Sequence, residues 1–289
     1  IARGSAALSL VWDSRYDLSS VSTDGTVAEE YTYGPLGRRV MTVVNSVTNH
    51  HVYSGAHGVA DVDANGDLVR SFQAGPGVDN WLSMTVHTGA MDVAYYSLTD
   101  HVGTVYAVAD EEGDIVESYR YDAWGRVIGV YDANGTPLAE SAVGNHYLWQ
   151  GRWYSWDTGL YYFRARWYDP VTGRWLSKDP IGISGGLNQY VFCGNNPVNC
   201  IDPLGLRDVT IQFYHKLTGK QLSPAAMAEV ERIYSDAFKR FGDTAEHTLG
   251  FEWQYAEECP GDLGYSGRSA FLQNPTQVRF YITSYRGAF

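Results

Sequence analysis

Residues 8–12 (LSLVW) form a largely apolar run, and residues 26–33 (TVAEEYTY) alternate apolar or aromatic with polar side chains. Alternation with period two marks a strand that buries one face. Between them, Ser19-Ser20 through Asp24-Gly25 reads as a turn, and Gly34-Pro35-Leu36-Gly37 reads as the next. Residues 1–60 are therefore predicted to be short strands joined by tight turns. Residues 75–100 are less regular and open on the break Gly75-Pro76-Gly77. Beyond Leu206 the grammar changes. Residues 209–214 (VTIQFY) and 277–285 (QVRFYITSY) alternate as strands. Met227, Val230, Tyr234, Ala237, Phe238 and Phe241 keep helical spacing behind Ser223-Pro224, and Gly242 ends that run. The tail is predicted to be α+β.

The strand pattern repeats internally. Residues 25–40 (GTVAEEYTYGPLGRRV) align without gaps to residues 113–128 (GDIVESYRYDAWGRVI), identical at six of the sixteen positions. Asp-Ala-Asn-Gly occurs at 63–66 and again at 132–135, where Asn-Gly predicts a two-residue hairpin turn with positive φ. Residues 95–103 open a further copy. One hairpin is marginal alone, so stacked hairpins that share an aromatic layer are predicted.

Composition sharpens this picture. The 289 residues include 31 Gly, 22 Tyr and 9 Trp, which suits short strands, tight turns and an aromatic interior. A hydrophobic fraction of 44% excludes wholesale disorder. The net charge is −12, and residues 207–289 account for −1 of it, so the first 206 residues carry about −11. That argues against nucleic-acid binding by the β part. No run of eighteen apolar residues is present to span a membrane. Ile1-Ala2-Arg3-Gly4 opens in mid-pattern without Met or an apolar leader, so residue 1 is expected to lie within a longer protein. Cys193, Cys200 and Cys259 are too few for a disulfide framework. Cys193 and Cys200 either pair across a short loop or are small buried residues.

Two stretches carry a family resemblance. The unit Tyr-x-Tyr-(Asp or Gly)-x-x-Gly-Arg, seen at 31–38 and 119–126, looks like a YD repeat. Residues 159–206 hold Gly-Arg-Trp-Leu, the steps Asp179-Pro180 and Asp202-Pro203, and the ending Asp-Pro-Leu-Gly-Leu. This stretch resembles the Rhs-repeat-associated core domain of bacterial Rhs and toxin-complex C proteins. The resemblance implies a mainly β fold, in which residues 1–158 are a fragment of a YD-repeat hairpin shell and residues 159–206 are its core. Residues 207–289 then take the place of the variable effector, here read as α+β and as the opening part of it.

Proline fixes φ and removes a backbone donor, so an Asp before it is held extended with its carboxylate in a defined direction. On residues alone, each Asp-Pro step is equally a turn starter. The resemblance implies more: an aspartic-type self-cleaving site that cuts between Leu206 and Arg207. Asp179 matches the catalytic carboxylate, Asp202 a second carboxylate near the cut, and Arg166 the orienting arginine. Arg164 and Arg174 are neighbours of the same type; Arg174 and Gly205 are assigned supporting roles. Two adjacent carboxylates would share a proton, one acting as base toward water and the other polarising the Leu206 carbonyl. Lys178 and Cys200 depart from the family pattern. No cofactor and no metal are implied.

The tail offers His215, Glu246, His247 and Arg268, which no motif joins. Neither His-Glu-x-x-His nor a Cys-x-x-Cys pair occurs. Its strand–helix opening resembles the start of a zincin-type metalloprotease, which would need that His motif further on. The resemblance as a whole implies the C-terminal part of a secreted or cell-surface bacterial polymorphic toxin. Its partners would be the rest of its own shell, a delivery apparatus and an immunity protein. The rival expectation is a non-cleaving YD-repeat structural or adhesive surface protein with a folded appendage. A carbohydrate-binding β module is a third expectation, resting on the number of Trp and Tyr.

Overall fold

The computed structural model describes residues 2–3, 6–55, 57–75, 80–206, 209–215, 247–251 and 277–284. The chain divides into two compact units, residues 1–198 with 202–208, and residues 199–201 with 209–289. The first contains a fourteen-stranded antiparallel meander running from Ala2–Arg3 to Pro137–Leu138, in which every strand pairs with its neighbour in sequence. Four short strands follow as a second sheet, in the order Trp153–Tyr154, Tyr161–Tyr162, Trp167–Asp169 and Arg174–Trp175.

Residues 19–25 do not form the expected long turn. Leu18–Thr23 is a strand, paired on both sides, and the turn shrinks to Asp24-Gly25 with φ of +50° and +82°. Leu18 and Val21 are buried three residues apart, because the ladder to Ala6–Trp12 skips Ser19, with Trp12 opposite Leu18 and Val11 opposite Ser20. A bulge of this kind breaks the period-two signal. Residues 75–100 are more regular than expected, since Trp81–His87 and Asp92–Thr99 are seven- and eight-residue strands. Pro76-Gly77 lies outside the described residues.

The Asp-Ala-Asn-Gly turns also differ from expectation. Only Gly66 and Gly135 have positive φ, not the Asn before them. At 63–67, Gly66 N–H donates to the Asp63 carbonyl at 3.1 Å, and Asp63 N–H donates to the Asp67 carbonyl at 2.9 Å. This is a three-residue turn with a glycine bulge. The Asp63 carboxylate seals it by accepting from Asn65 N–H at 2.8 Å and Asp67 N–H at 2.9 Å. The same bonding recurs at Asp13, Asp100, Asp122 and Asp132. Backbone donors hold the Asp63 and Asp132 carboxyls below the usual range, whereas burial pushes the Asp100 carboxyl up. At Gly34 the backbone makes the same turn without a side chain to close it. Two-residue turns occur at Asp24-Gly25 and Asn45-Ser46.

The repeated Glu and Tyr face inward. Tyr31 donates to Glu29 at 2.6 Å, and Tyr119 donates to Glu117 at 2.5 Å. Residues two apart on a strand share a face, so each copy buries its own acid with its own donor. The second oxygens reach later chain: Ser155 Oγ donates to Glu29, and Ala142 N–H donates to Glu117. Burial pushes the Glu29 carboxyl up, opposed by Ser155 and Tyr31. Trp149, Tyr161, Phe163, Tyr168, Trp175 and Phe192 pack into one buried aromatic cluster. Trp81, Trp153 and Trp167 are also buried, so these nine aromatics form interior rather than an open groove.

In the second unit, Cys200–Ile201 and Val209–His215 pair antiparallel, Val209–His215 runs parallel to Gln277–Ser284, and His247–Phe251 closes the edge. Two of these strands are the ones alternation predicts. The helix expected after Ser223-Pro224 lies outside the described residues, as do Glu246 and Arg268. Cys193 and Cys200 are buried thiols, not a disulfide.

Candidate functional site

Arg166 sits in the tight connection between Tyr161–Tyr162 and Trp167–Asp169, closed by Phe163 N–H donating to the Arg166 carbonyl at 2.9 Å. Arg164, in the same turn, has φ +66°. This left-handed residue reverses the local direction of the chain, so Arg164 and Arg166 do not share a face as they would on a plain strand. Arg164 donates to the Pro203 carbonyl, and Arg166 Nε donates to the Gly205 carbonyl at 2.5 Å. Burial pushes the Arg164 guanidinium down, opposed by Tyr162, Tyr147 and Tyr53.

Arg166 is the centre of the group. Its Nη1 lies 3.1 Å from Asp179 Oδ2 and its Nη2 lies 3.1 Å from Asp202 Oδ2. Nη1 also donates to the Gln189 carbonyl at 3.3 Å. The guanidinium stacks over Trp175 at 4.1 Å from the ring centroid. Asp179 is 8% exposed and Asp202 is 0% exposed. A guanidinium presents its donors in a planar fork, which lets one side chain hold two carboxylates and two carbonyls together.

Both acids stand at the head of an Asp-x-x-Gly turn, as the repeat aspartates do. Gly182 N–H donates to the Asp179 carbonyl at 2.9 Å and Ile181 N–H to Asp179 Oδ1 at 3.0 Å. Gly205 N–H donates to the Asp202 carbonyl at 3.4 Å and Leu206 N–H to Asp202 Oδ1 at 2.9 Å. Gly182 and Gly205 have φ of +65° and +69°. The remaining oxygen of each acid is turned onto Arg166. A Cβ on Gly205 would lie 2.6 Å from the Phe163 carbonyl oxygen and 3.1 Å from Arg166 N, so glycine is required there on both counts.

The peptide group between Gly205 and Leu206 is thereby clamped at both ends, its oxygen by Arg166 and its N–H by Asp202. A shared guanidinium lies between the two carboxylates. The structure thus brings together Asp179, Asp202, Arg166, Gly205 and Leu206. Arg207 lies outside the described residues. Arg174 and Lys178 are exposed, and Arg174 makes no ion pair among the described residues. Gln189 and Trp175 complete the setting of Arg166, one through its carbonyl and the other through its ring face; the sequence marks Trp175 only as part of Gly-Arg-Trp-Leu and gives no sign of either role. Among the described residues, no three His, Cys, Asp or Glu side chains converge as metal ligands, and no helix is long and apolar enough to cross a membrane.

A family model described as the teneurin YD-shell matches residues 85–198. The tRNA nuclease WapA of Bacillus subtilis is 31% identical over 202 residues, covering 67% of this chain and 8% of the relative. The double-stranded DNA deaminase toxin A of Burkholderia cenocepacia is 30% identical over 206 residues, 63% of this chain and 14% of the relative. The crystal structure of TcdB2-TccC3 superposes with a TM-score of 0.55 at 27% identity, covering 69% of this chain and 10% of that one. The chain thus spans only a small fraction of each relative's length. These matches, together with the repeated Tyr-x-Tyr hairpins, the Asp-x-x-Gly turns and the core motif, show that the chain belongs to the Rhs/YD-repeat proteins.

Proposed function

We propose that residues 1–206 are the closing part of an Rhs toxin shell, and that the core 159–206 severs the chain between Leu206 and Arg207, releasing the effector region 207–289. One observation carries this reading: Arg166 joins Asp179 and Asp202 and, with Asp202, grips the peptide immediately before that bond. A rigid grip on the preceding peptide fixes the register in which the Leu206 carbonyl is presented. Asp179 is the more accessible acid and is assigned the base. Water attacks the Leu206 carbonyl carbon while Asp179 takes its proton. Arg166 offsets the charge that develops on oxygen. The carbon–nitrogen bond then breaks, and Asp179 returns the proton to the Arg207 nitrogen. Asp202 positions Leu206. The relatives support a variable tail, since two of them are named for different activities, on tRNA and on double-stranded DNA.

Intact mass under denaturing conditions tests the proposal. The native chain is expected to split after residue 206, and Asp179→Asn to remain whole. A native chain that stays whole removes the cleavage reading. It would favour a static YD-repeat surface protein, the alternative to which the teneurin YD-shell match lends weight. A delivery apparatus and an immunity protein remain part of the proposed reading.

A further inference from the structure

Ser71 lies in the strand Leu68–Ala74, between Arg70 and Phe72. Phe72 packs edge-on against Trp81 and Tyr147, and Arg70 donates to Asp61 and to the Gly144 carbonyl. Side chains alternate along a strand, so Ser71 stands on the opposite face, away from that core. It is half-buried. Its Oγ lies 2.9 Å from His87 Nε2, and His87 Nδ1 lies 2.9 Å from Asp92 Oδ1. A carboxylate only accepts, so in the neutral ring Nδ1 carries the proton and Nε2 accepts from the Ser71 hydroxyl. The three groups stand as nucleophile, base and orienting acid, each within hydrogen-bond reach of the next.

Three adjacent strands fix them. Ser71 is opposite Thr85, and His87, two residues beyond Thr85, is opposite Asp92. Thr88 closes the loop between His87 and Asp92, donating to the Met91 carbonyl at 2.6 Å. The Asp92 backbone is thus held, although its side chain is 61% exposed; that of His87 is 17% exposed. The register puts Ala60 on one side of Ser71 and Thr85 on the other, with Ala94 beyond, so the row across the sheet is of short side chains. Thr85 and Gln73 share the face of Ser71 and bring a hydroxyl and an amide donor to its side, where charge would develop on a carbonyl oxygen. The same order of contacts occurs at Thr42, His51 and Asp61, at 2.8 and 2.7 Å, but Thr42 is 1% exposed and Asp61 is also held by Arg70. Access to the hydroxyl separates the two.

We propose that Ser71 and His87, with Asp92 as the positioning residue, form a hydrolytic site for small uncharged carboxylic esters. Ser71 Oγ bonds to the ester carbon while His87 Nε2 takes the hydroxyl proton. The ester carbon–oxygen bond breaks and that proton leaves with the alcohol. Water then attacks the acyl-serine and gives a proton to Nε2. The bond to Oγ breaks, Oγ regains the proton, and the carboxylic acid departs. The row of short side chains suits a short acyl group, and an open face lends too little binding energy for the harder cleavage of an amide. The charge of about −11 on the first 206 residues disfavours an anionic ester. The site shares no residue with the Arg166 group and does not depend on cleavage of the chain.

The test treats the full chain with an alkyl fluorophosphonate, which phosphonylates an activated serine, and maps the adduct by mass spectrometry. One adduct is expected, on Ser71, and none on the urea-unfolded chain. His87→Gln should slow the labelling about 100-fold or more. Hydrolysis of p-nitrophenyl acetate should fall by a similar factor in Ser71→Ala. Asp92→Asn should lower kcat by less than His87→Gln does, at unchanged KM, and Asp92→Glu should recover most of it. If a variant does not fold, the position of the adduct on the native chain decides alone. No adduct, an adduct elsewhere, or equal labelling of the unfolded chain overturns the proposal. Ester turnover that survives Ser71→Ala overturns it as well, and leaves the Ser71–His87–Asp92 contacts as a link between strands.

Discussion

His146 Nδ1 lies 2.9 Å from the Tyr154 carbonyl, and its ring stacks on Trp153 at 5.0 Å with an interplanar angle of 7°. Nδ1 must therefore carry a proton, and the neutral ring suits that single donation. Burial, followed by the charge of Arg70, pushes its pKa down to about 4. The folded state thus resists a proton that the unfolded chain accepts near 6.5. Stability is full above 6.5 and declines as pH falls from 6.5 through 4. Between pH 7.5 and pH 5 these two values give about 2 kcal/mol of lost stability. The ring is half-buried rather than enclosed, so that figure is an upper end. His146→Phe keeps the stack on Trp153 and removes the titration, with a pH-independent loss of about 1 kcal/mol for the Tyr154 carbonyl. Urea unfolding of both forms at pH 7.5 and pH 5 isolates the effect, because His51 and the carboxyls titrate alike in both. If the two forms lose stability in parallel to within about 0.5 kcal/mol, the resolution of additivity for independent sites, His146 is not the depressed group.

Three further outcomes are expected. Arg166→Met should leave the chain uncut and strand two buried carboxylates, making it about 3–5 kcal/mol less stable in urea than Asp179→Asn, which keeps Asp202 paired. Gly205→Ala, with φ +69° and backbone atoms 2.6 and 3.1 Å from the new Cβ, should pull the Gly205–Leu206 peptide out of its clamp. Intact mass should show it uncut under conditions where the native chain splits. Gly34→Asp should restore the carboxylate seal that Gly34's turn lacks and gain about 1 kcal/mol, provided Val40 Cγ1 at 3.1 Å yields; a higher Tm by differential scanning calorimetry is the readout.

The hairpins were legible because their grammar is local. Asp-x-x-Gly and Tyr-x-Tyr act within a few residues, and the structure reuses them from Asp13 to Asp132. What escaped the pattern was also physical. The Leu18–Thr23 strand is serine-rich, and its bulge at Ser19 spaces the two buried residues three apart. Asn-Gly suggested a two-residue turn, but the Asp before it captures the following N–H groups and favours the longer bulged form. At the site, Asp179 and Asp202 stood out by their proline neighbours. The choice among Arg164, Arg166 and Arg174 did not, because it depends on one left-handed residue in a turn. Ser71, His87 and Asp92 gave no signal at all, since only the pairing of three strands brings them together.

The meander pairs each strand with its neighbour in sequence, while the core strands reach back across the chain. Tyr162 accepts from Arg39 N–H across 123 residues, and Trp167 donates to Tyr33 across 134. Loop closure of that length is entropically costly until the intervening hairpins have folded and drawn the ends together. Assembly is therefore expected to follow chain order, with the Arg166 turn docking after the meander is laid down. The connectivity then works as a clock: the two carboxylates meet their shared cation only once the hairpins before them are in place.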